Sequence, residues 1–252
     1  MCYDRDARPP PPPIAGAAAE EGGLVLTAAD GNRLAAYAAR AASPTGAGIV
    51  ILPDVRGLHP FYQELARRFA EAGVDAVAVD YFGRTAGTGP RDDGFDFMTH
   101  VRQTTAEGIG ADVGAAVAHL RSPQGGAVRA VFTVGFCFGG GQSWRQAGLG
   151  HDLAGAIGLY GSPDPALELL DDLAAPLLVL VAGDDRARPV SAFEEFGRRL
   201  EAAGVPHQLH VYQGAPHSFF DRTFAEHRDA SDDAWRRMLD FIGRQTPTGS
   251  LS

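Results

Sequence analysis

Val128-Arg129-Ala130-Val131-Phe132-Thr133-Val134-Gly135-Phe136-Cys137-Phe138-Gly139-Gly140-Gly141 is the stretch on which the reading of this chain turns. The apolar, β-branched run Val128–Phe136 reads as a buried strand, and a helix follows from the glycines. Between them, Gly135-Phe136-Cys137-Phe138-Gly139 has the form of a nucleophile elbow, Gly-x-nucleophile-x-Gly, with cysteine at its apex. So tight a strand-to-helix turn strains its central residue and leaves no room for side chains on the flanking positions. Gly140 and Gly141 let the helix start close against the sheet. The apex lies at the helix N-terminus, where the dipole favours a thiolate. A cysteine between turn glycines is otherwise a buried structural residue; the strand before it and the helix after it argue against that.

Outward from this element, short apolar runs alternate with helical stretches. Strands are expected at Gly48–Leu52, Val74–Val79, Ala154–Tyr160, Leu177–Ala182 and His207–Tyr212. Helices are expected at Phe61–Ala72, Thr104–Leu120, Ser191–Ala203 and around Asp232–Gly243. Strands that are continuously apolar belong in a mostly parallel central sheet with helices on both faces. Leu24–Thr27 and Leu34–Ala39, flanking Ala29-Asp30-Gly31-Asn32, add an N-terminal antiparallel hairpin. The expected organisation is a flexible Pro/Ala-rich arm over 1–20, one α/β domain over 21–246 and a tail over 247–252. Tyr81–Met98 is the one long irregular connection, and such loops are often functional.

Composition narrows the function classes. The chain has 252 residues, is 45% hydrophobic and carries a net charge of -9, so no basic footprint suggests nucleic acid or an anionic membrane. All 22 basic residues are arginines, and the absence of lysine excludes a Schiff-base, PLP-bound or P-loop lysine. Two cysteines, Cys2 and Cys137, make no disulfide framework. There is no apolar leader or membrane-length segment, so the expected location is the cytoplasm. No metal or cofactor is expected, and the oligomeric state cannot be read.

In an open α/β sheet, ligands bind beyond the carboxyl ends of the strands. Asp54, Cys137, an acid from Gly183-Asp184-Asp185, and His217 all follow strand ends. His217, in Gly214-Ala215-Pro216-His217-Ser218-Phe219, follows the last strand, where none of the other histidines lies. Cysteine, acid and histidine come in the chain order of α/β-hydrolases. An imidazole would take the thiol proton while the acid fixes its tautomer. From the residues alone, Asp184 and Asp185 are both open as the acid. The oxyanion donors would be the N–H groups of Phe138 and Val55.

At these residues the chain resembles the dienelactone hydrolase family, or carboxymethylenebutenolidases. The resemblance rests on Gly135-Phe136-Cys137-Phe138-Gly139-Gly140, Leu52-Pro53-Asp54-Val55-Arg56-Gly57-Leu58, Val79-Asp80-Tyr81-Phe82-Gly83-Arg84, Leu159-Tyr160-Gly161 and His217-Ser218-Phe219. It spans residues 24–243 and implies the α/β-hydrolase fold and cleavage of a lactone or carboxylic ester through an acyl-cysteine. The family's acid precedes a proline by four residues, which fits Asp185 before Pro189. A family glutamate gates the resting thiol; Asp54 takes its position, one methylene shorter, with a salt bridge to Arg56 as the plainer role. The family grips a substrate carboxylate with arginines. One lies four residues after the histidine, where this chain has Asp221, with Arg222 next; Arg91 is the candidate for the other, and Arg84 matches a family position that could brace the loop. These departures separate hydrolase chemistry from dienelactone itself. A general esterase or thioesterase, and a non-catalytic binding protein on the same fold, are the alternatives.

Overall fold

Apolar strands need cover on both faces, and the computed structural model provides it. Residues 8–16, 18–91 and 94–247 are described. Cys2, most of the expected tail and residues 92–93 of the long connection lie outside them. The strands are β1 (Ala18–Thr27), β2 (Arg33–Ala41), β3 (Ala47–Leu52), β4 (Val74–Val79), β5 (Ala130–Phe136), β6 (Gly155–Leu159), β7 (Leu177–Asp184) and β8 (His207–Pro216). They form one eight-stranded sheet in the order β1-β2-β4-β3-β5-β6-β7-β8. β1 pairs antiparallel with β2 and β2 with β4; every other pairing is parallel. Every residue of β3, β4, β5 and β6 is buried.

The helices are α1 (Pro60–Glu71), α2 (Gly83–Ala86), α3 (Phe97–Val101), α4 (Ala106–Arg121), α5 (Phe138–Gln146), α6 (Asp164–Leu167), α7 (Val190–Ala202) and α8 (Arg228–Gln245). Alternation along β3 divides the core. Ile49 and Ile51 pack with Phe61 and Phe69 of α1 and Phe241 of α8, whereas Val50 and Leu52 pack with Ile109 and Val113 of α4. Trp144 of α5 joins Phe193 and Phe196 of α7 over β6 and β7.

The sequence misplaces three features. β1 starts at Ala18, inside the expected arm, because its pairing with β2 continues back to Ala41. Glu20-Glu21-Gly22-Gly23 has little intrinsic strand preference, so the partner strand decides. Pro9 and Pro10 of that arm are buried. The long connection holds the short helices α2 and α3. Among the described residues, no helix is long and apolar enough to cross a membrane.

Candidate active site

The elbow follows from backbone crowding. Cys137 caps α5 at φ 53, ψ -113, a conformation that side-chain-bearing residues rarely adopt. Its N–H donates to the Leu159 carbonyl at 3.1 Å, and its carbonyl accepts from Gly140 N–H at 3.0 Å. A Cβ on Gly135 would collide with the Gly139 carbonyl, and one on Gly139 with the carbonyls of Leu52 and Pro53. The first turn of α5 therefore lies against the end of β3. That closeness sets the start of α5 beside the Leu52-Pro53 end of the loop carrying Val55.

Register brings the next two residues together. The β7–β8 ladder pairs Ala182 with Tyr212 and then Asp184 with Pro216, so β8 bulges between them. Gly183 cannot carry a Cβ without meeting the Tyr212 carbonyl at 2.6 Å, and Gly214 has φ 74. Asp185 and His217 then leave adjacent strand ends side by side. His217 Nδ1 lies 2.7 Å from Asp185 Oδ2, with 26% of the histidine side chain exposed against 1% of the acid's. Asp185 Oδ1 accepts the Ala187 N–H at 2.8 Å, whereas Asp184 is exposed. Burial pushes the Asp185 carboxyl up, but hydrogen bonds from His217 and Ala187 outweigh it and hold the group below the usual carboxylate range. The stabilisation this gives is present above that range and is lost as pH falls through the lowered value. With Asp185 ionised and able only to accept, Nδ1 carries the proton, so Nε2 is the nitrogen that can accept one.

Asp54 is fully buried after β3. Its Oδ1 accepts the Arg56 N–H at 2.9 Å, its own N–H donates to the Tyr62 hydroxyl at 2.9 Å, and Arg56 Nε stands 4.0 Å from Oδ2. Tyr81, which the sequence reading passed over within its quoted segment, donates its hydroxyl to the Pro53 carbonyl at 2.9 Å. Burial, then the charges of Asp54, Asp80 and Cys137, push this phenol well above its ordinary value. Asp54 and Cys137 thus share one low-dielectric neighbourhood.

The arginine candidates are placed differently. Arg84 bonds Asp112 at 2.6 Å and Asp30 at 2.5 Å, tying the β1–β2 turn to α4. Arg91 bonds Asp80 at 2.8 Å and the carbonyls of Ala86, Gly87 and Gly89. Both brace the scaffold through these contacts. Arg222 is exposed, and its N–H donates to Asp221 Oδ1 at 2.6 Å. Asp221 is fully buried and accepts the Tyr160 hydroxyl at 3.2 Å.

The model of the dienelactone hydrolase family matches residues 34–246. The carboxymethylenebutenolidase of Rhodococcus opacus is 30% identical over 227 residues, covering 84% of this chain and 87% of its own. A dienelactone hydrolase-like promiscuous phosphotriesterase from metagenomic libraries superposes with a TM-score of 0.75 at 21% identity, covering 91% of this chain and 100% of its own. The dienelactone hydrolase of Anabaena variabilis gives a TM-score of 0.70 at 16% identity, covering 90% and 99%. At such identities the two structures speak to the fold alone, which is that of the α/β-hydrolases. With 34–246 matched and the relative from Rhodococcus at 30%, the chain belongs to the dienelactone hydrolase family and is a hydrolase of the carboxylic ester and lactone class.

Proposed function

We propose that the hydrolysis is cysteine-dependent and runs through an acyl-cysteine on Cys137. His217 Nε2 takes the Cys137 proton, and the thiolate attacks the carbonyl carbon of a lactone or carboxylic ester. The oxyanion is held by the N–H groups of Phe138 and Val55. As the C–O bond breaks, the imidazolium returns the proton to the leaving alkoxide. Water, deprotonated by His217, then cleaves the thioester and releases the acid. Asp185 holds the imidazole tautomer and stabilises the imidazolium. Asp54 gates the thiol, since a carboxylate near it disfavours the thiolate until substrate arrives.

The observation that carries this reading is the 2.7 Å His217–Asp185 contact on the sheet edge that also bears the strained Cys137. Hydrolysis of p-nitrophenyl acetate and of unsubstituted lactones tests it. Cys137→Ala and His217→Ala should each fall at least about a thousandfold with melting unchanged, since such residues act as a unit. Asp185→Asn should cost far more than Asp184→Asn. Retention of more than about a tenth of activity in Cys137→Ala, an effect under about 1.4 kcal/mol, contradicts the assignment.

A second reading concerns the substrate. Asp221 is buried, and Arg84 and Arg91 are bonded to scaffold carboxylates. This favours esters or lactones without a second carboxylate, with Arg222 left as the candidate contact for an acidic group. Matched substrates with and without that carboxylate should differ little in kcat/KM; a strong preference for the acidic member contradicts it.

A further inference from the structure

We infer that Tyr160 and Asp221 form a positioning pair behind His217 that favours its protonated form; the inference rests on the proposed role of His217 as base. Tyr160 follows β6 with φ 40, is fully buried, and is held by its N–H on the Leu180 carbonyl at 2.9 Å. A side-chain-bearing residue in the left-handed region persists only where its surroundings over-determine it. Here they do: the ring packs 5.6 Å from Phe219 and 6.5 Å from Phe136, and the His217 ring lies 5.0 Å from it, tilted by 57°.

The far end of Tyr160 explains why phenylalanine would not serve. Its hydroxyl donates to Asp221 Oδ2 at 3.2 Å, and Oδ1 takes the Arg222 N–H at 2.6 Å. Asp221 is delivered by a turn in which Ser218, at φ 64, offers its carbonyl to the N–H groups of Asp221 and Arg222 at 3.3 and 3.0 Å. The result is a relay: buried carboxylate, phenol, imidazole. A phenol whose proton leans toward a carboxylate has an electron-rich ring, and a cation beside such a ring is stabilised. When the proton passes from Cys137 Sγ to His217 Nε2, the new imidazolium has Asp185 2.7 Å from its Nδ1 and this polarised ring 5.0 Å from its own. Both favour the thiolate–imidazolium pair over the thiol–imidazole pair. The other charged or titratable groups about the site are Asp54 after β3, Cys137 at the elbow, Arg188 near Asp185 and Arg222 beside Asp221.

Alkylation of Cys137 by iodoacetamide, followed against pH in the full chain, reads the thiolate directly. Asp221→Asn keeps the side-chain shape and one of its two oxygen acceptors but removes the charge. Its alkylation profile should move to higher pH by about one unit, or about tenfold in rate at fixed pH, with melting unchanged and the loss seen in kcat rather than KM. Tyr160→Phe should move it in the same direction, and serves if Asp221→Asn folds poorly. His217→Gln is the reference. If His217→Gln shifts the profile and neither Asp221→Asn nor Tyr160→Phe does, the positioning pair is overturned while the proposed base stands. If His217→Gln itself leaves the profile unmoved, the proposed triad fails and this inference with it.

Discussion

Asp54 is held by the loop it starts and by the Tyr62 hydroxyl, which accepts its N–H at 2.9 Å. The Arg56 N–H reaches its Oδ1 at 2.9 Å, while the Arg56 guanidinium stands off at 4.0 Å. The salt bridge to Arg56 and the proposed gating of Cys137 are both compatible with this buried carboxylate. Like-charge repulsion should hold the Cys137 thiol protonated. Asp54→Ala is expected to speed its alkylation by neutral iodoacetamide at neutral pH by about tenfold, one unit of thiol pKa, while lowering turnover. Unchanged or slower alkylation with normal turnover would leave Asp54 as a turn residue. At this scale the sequence was legible where chemistry is local. The elbow glycines pointed to Cys137, and position after a strand singled out His217. Asp184 and Asp185 could not be separated by residue type, because their difference is the direction each takes on leaving β7. The arginines were opaque for a related reason: their partners are set by tertiary structure, as with Arg84 reaching Asp112 across 28 positions and Asp30 across 54.

Elements built on continuous apolar runs were placed to within a few residues, since a strand buried on both faces leaves little freedom in its pattern. Elements made by contact were not. α2 exists because Gly83 is pressed onto β2, where a Cβ would strike the Arg33 carbonyl. The end of β8 extends past its apolar run to Pro216 because the bulge opposite Gly183 carries the ladder further. The elbow gives the sharpest test of such crowding. Gly135→Ala should destabilise by about 3 kcal/mol or more, since its new methyl meets backbone that cannot rotate away. Gly243→Ala in α8, where a Cβ meets nothing within 4 Å, should instead stabilise by about 0.5–1 kcal/mol. Denaturant melts of the two variants check this; equal effects would mean that the elbow has slack its geometry does not suggest.

Across the whole molecule, parallel pairing from β4 through β8 turns the carboxyl ends of β3, β5, β7 and β8 to one edge. Residues separated by up to 163 positions, Asp54 and His217 among them, thereby come to a common edge that the sequence announces only as a series of strand ends. The proposed acylation of Cys137 is one covalent event, and the absence of lysine makes it convenient to observe. Trypsin cuts this chain only after arginine, so Cys137 falls in the peptide Ala130–Arg145. Enzyme mixed with p-nitrophenyl acetate, quenched in acid within its first turnovers and digested, should carry one acetyl group on that peptide. The group should sit on Cys137, be removed by neutral hydroxylamine as a thioester is, and be missing in Cys137→Ala. An acetyl group on a serine or threonine instead, with turnover surviving in Cys137→Ala, would contradict the cysteine mechanism.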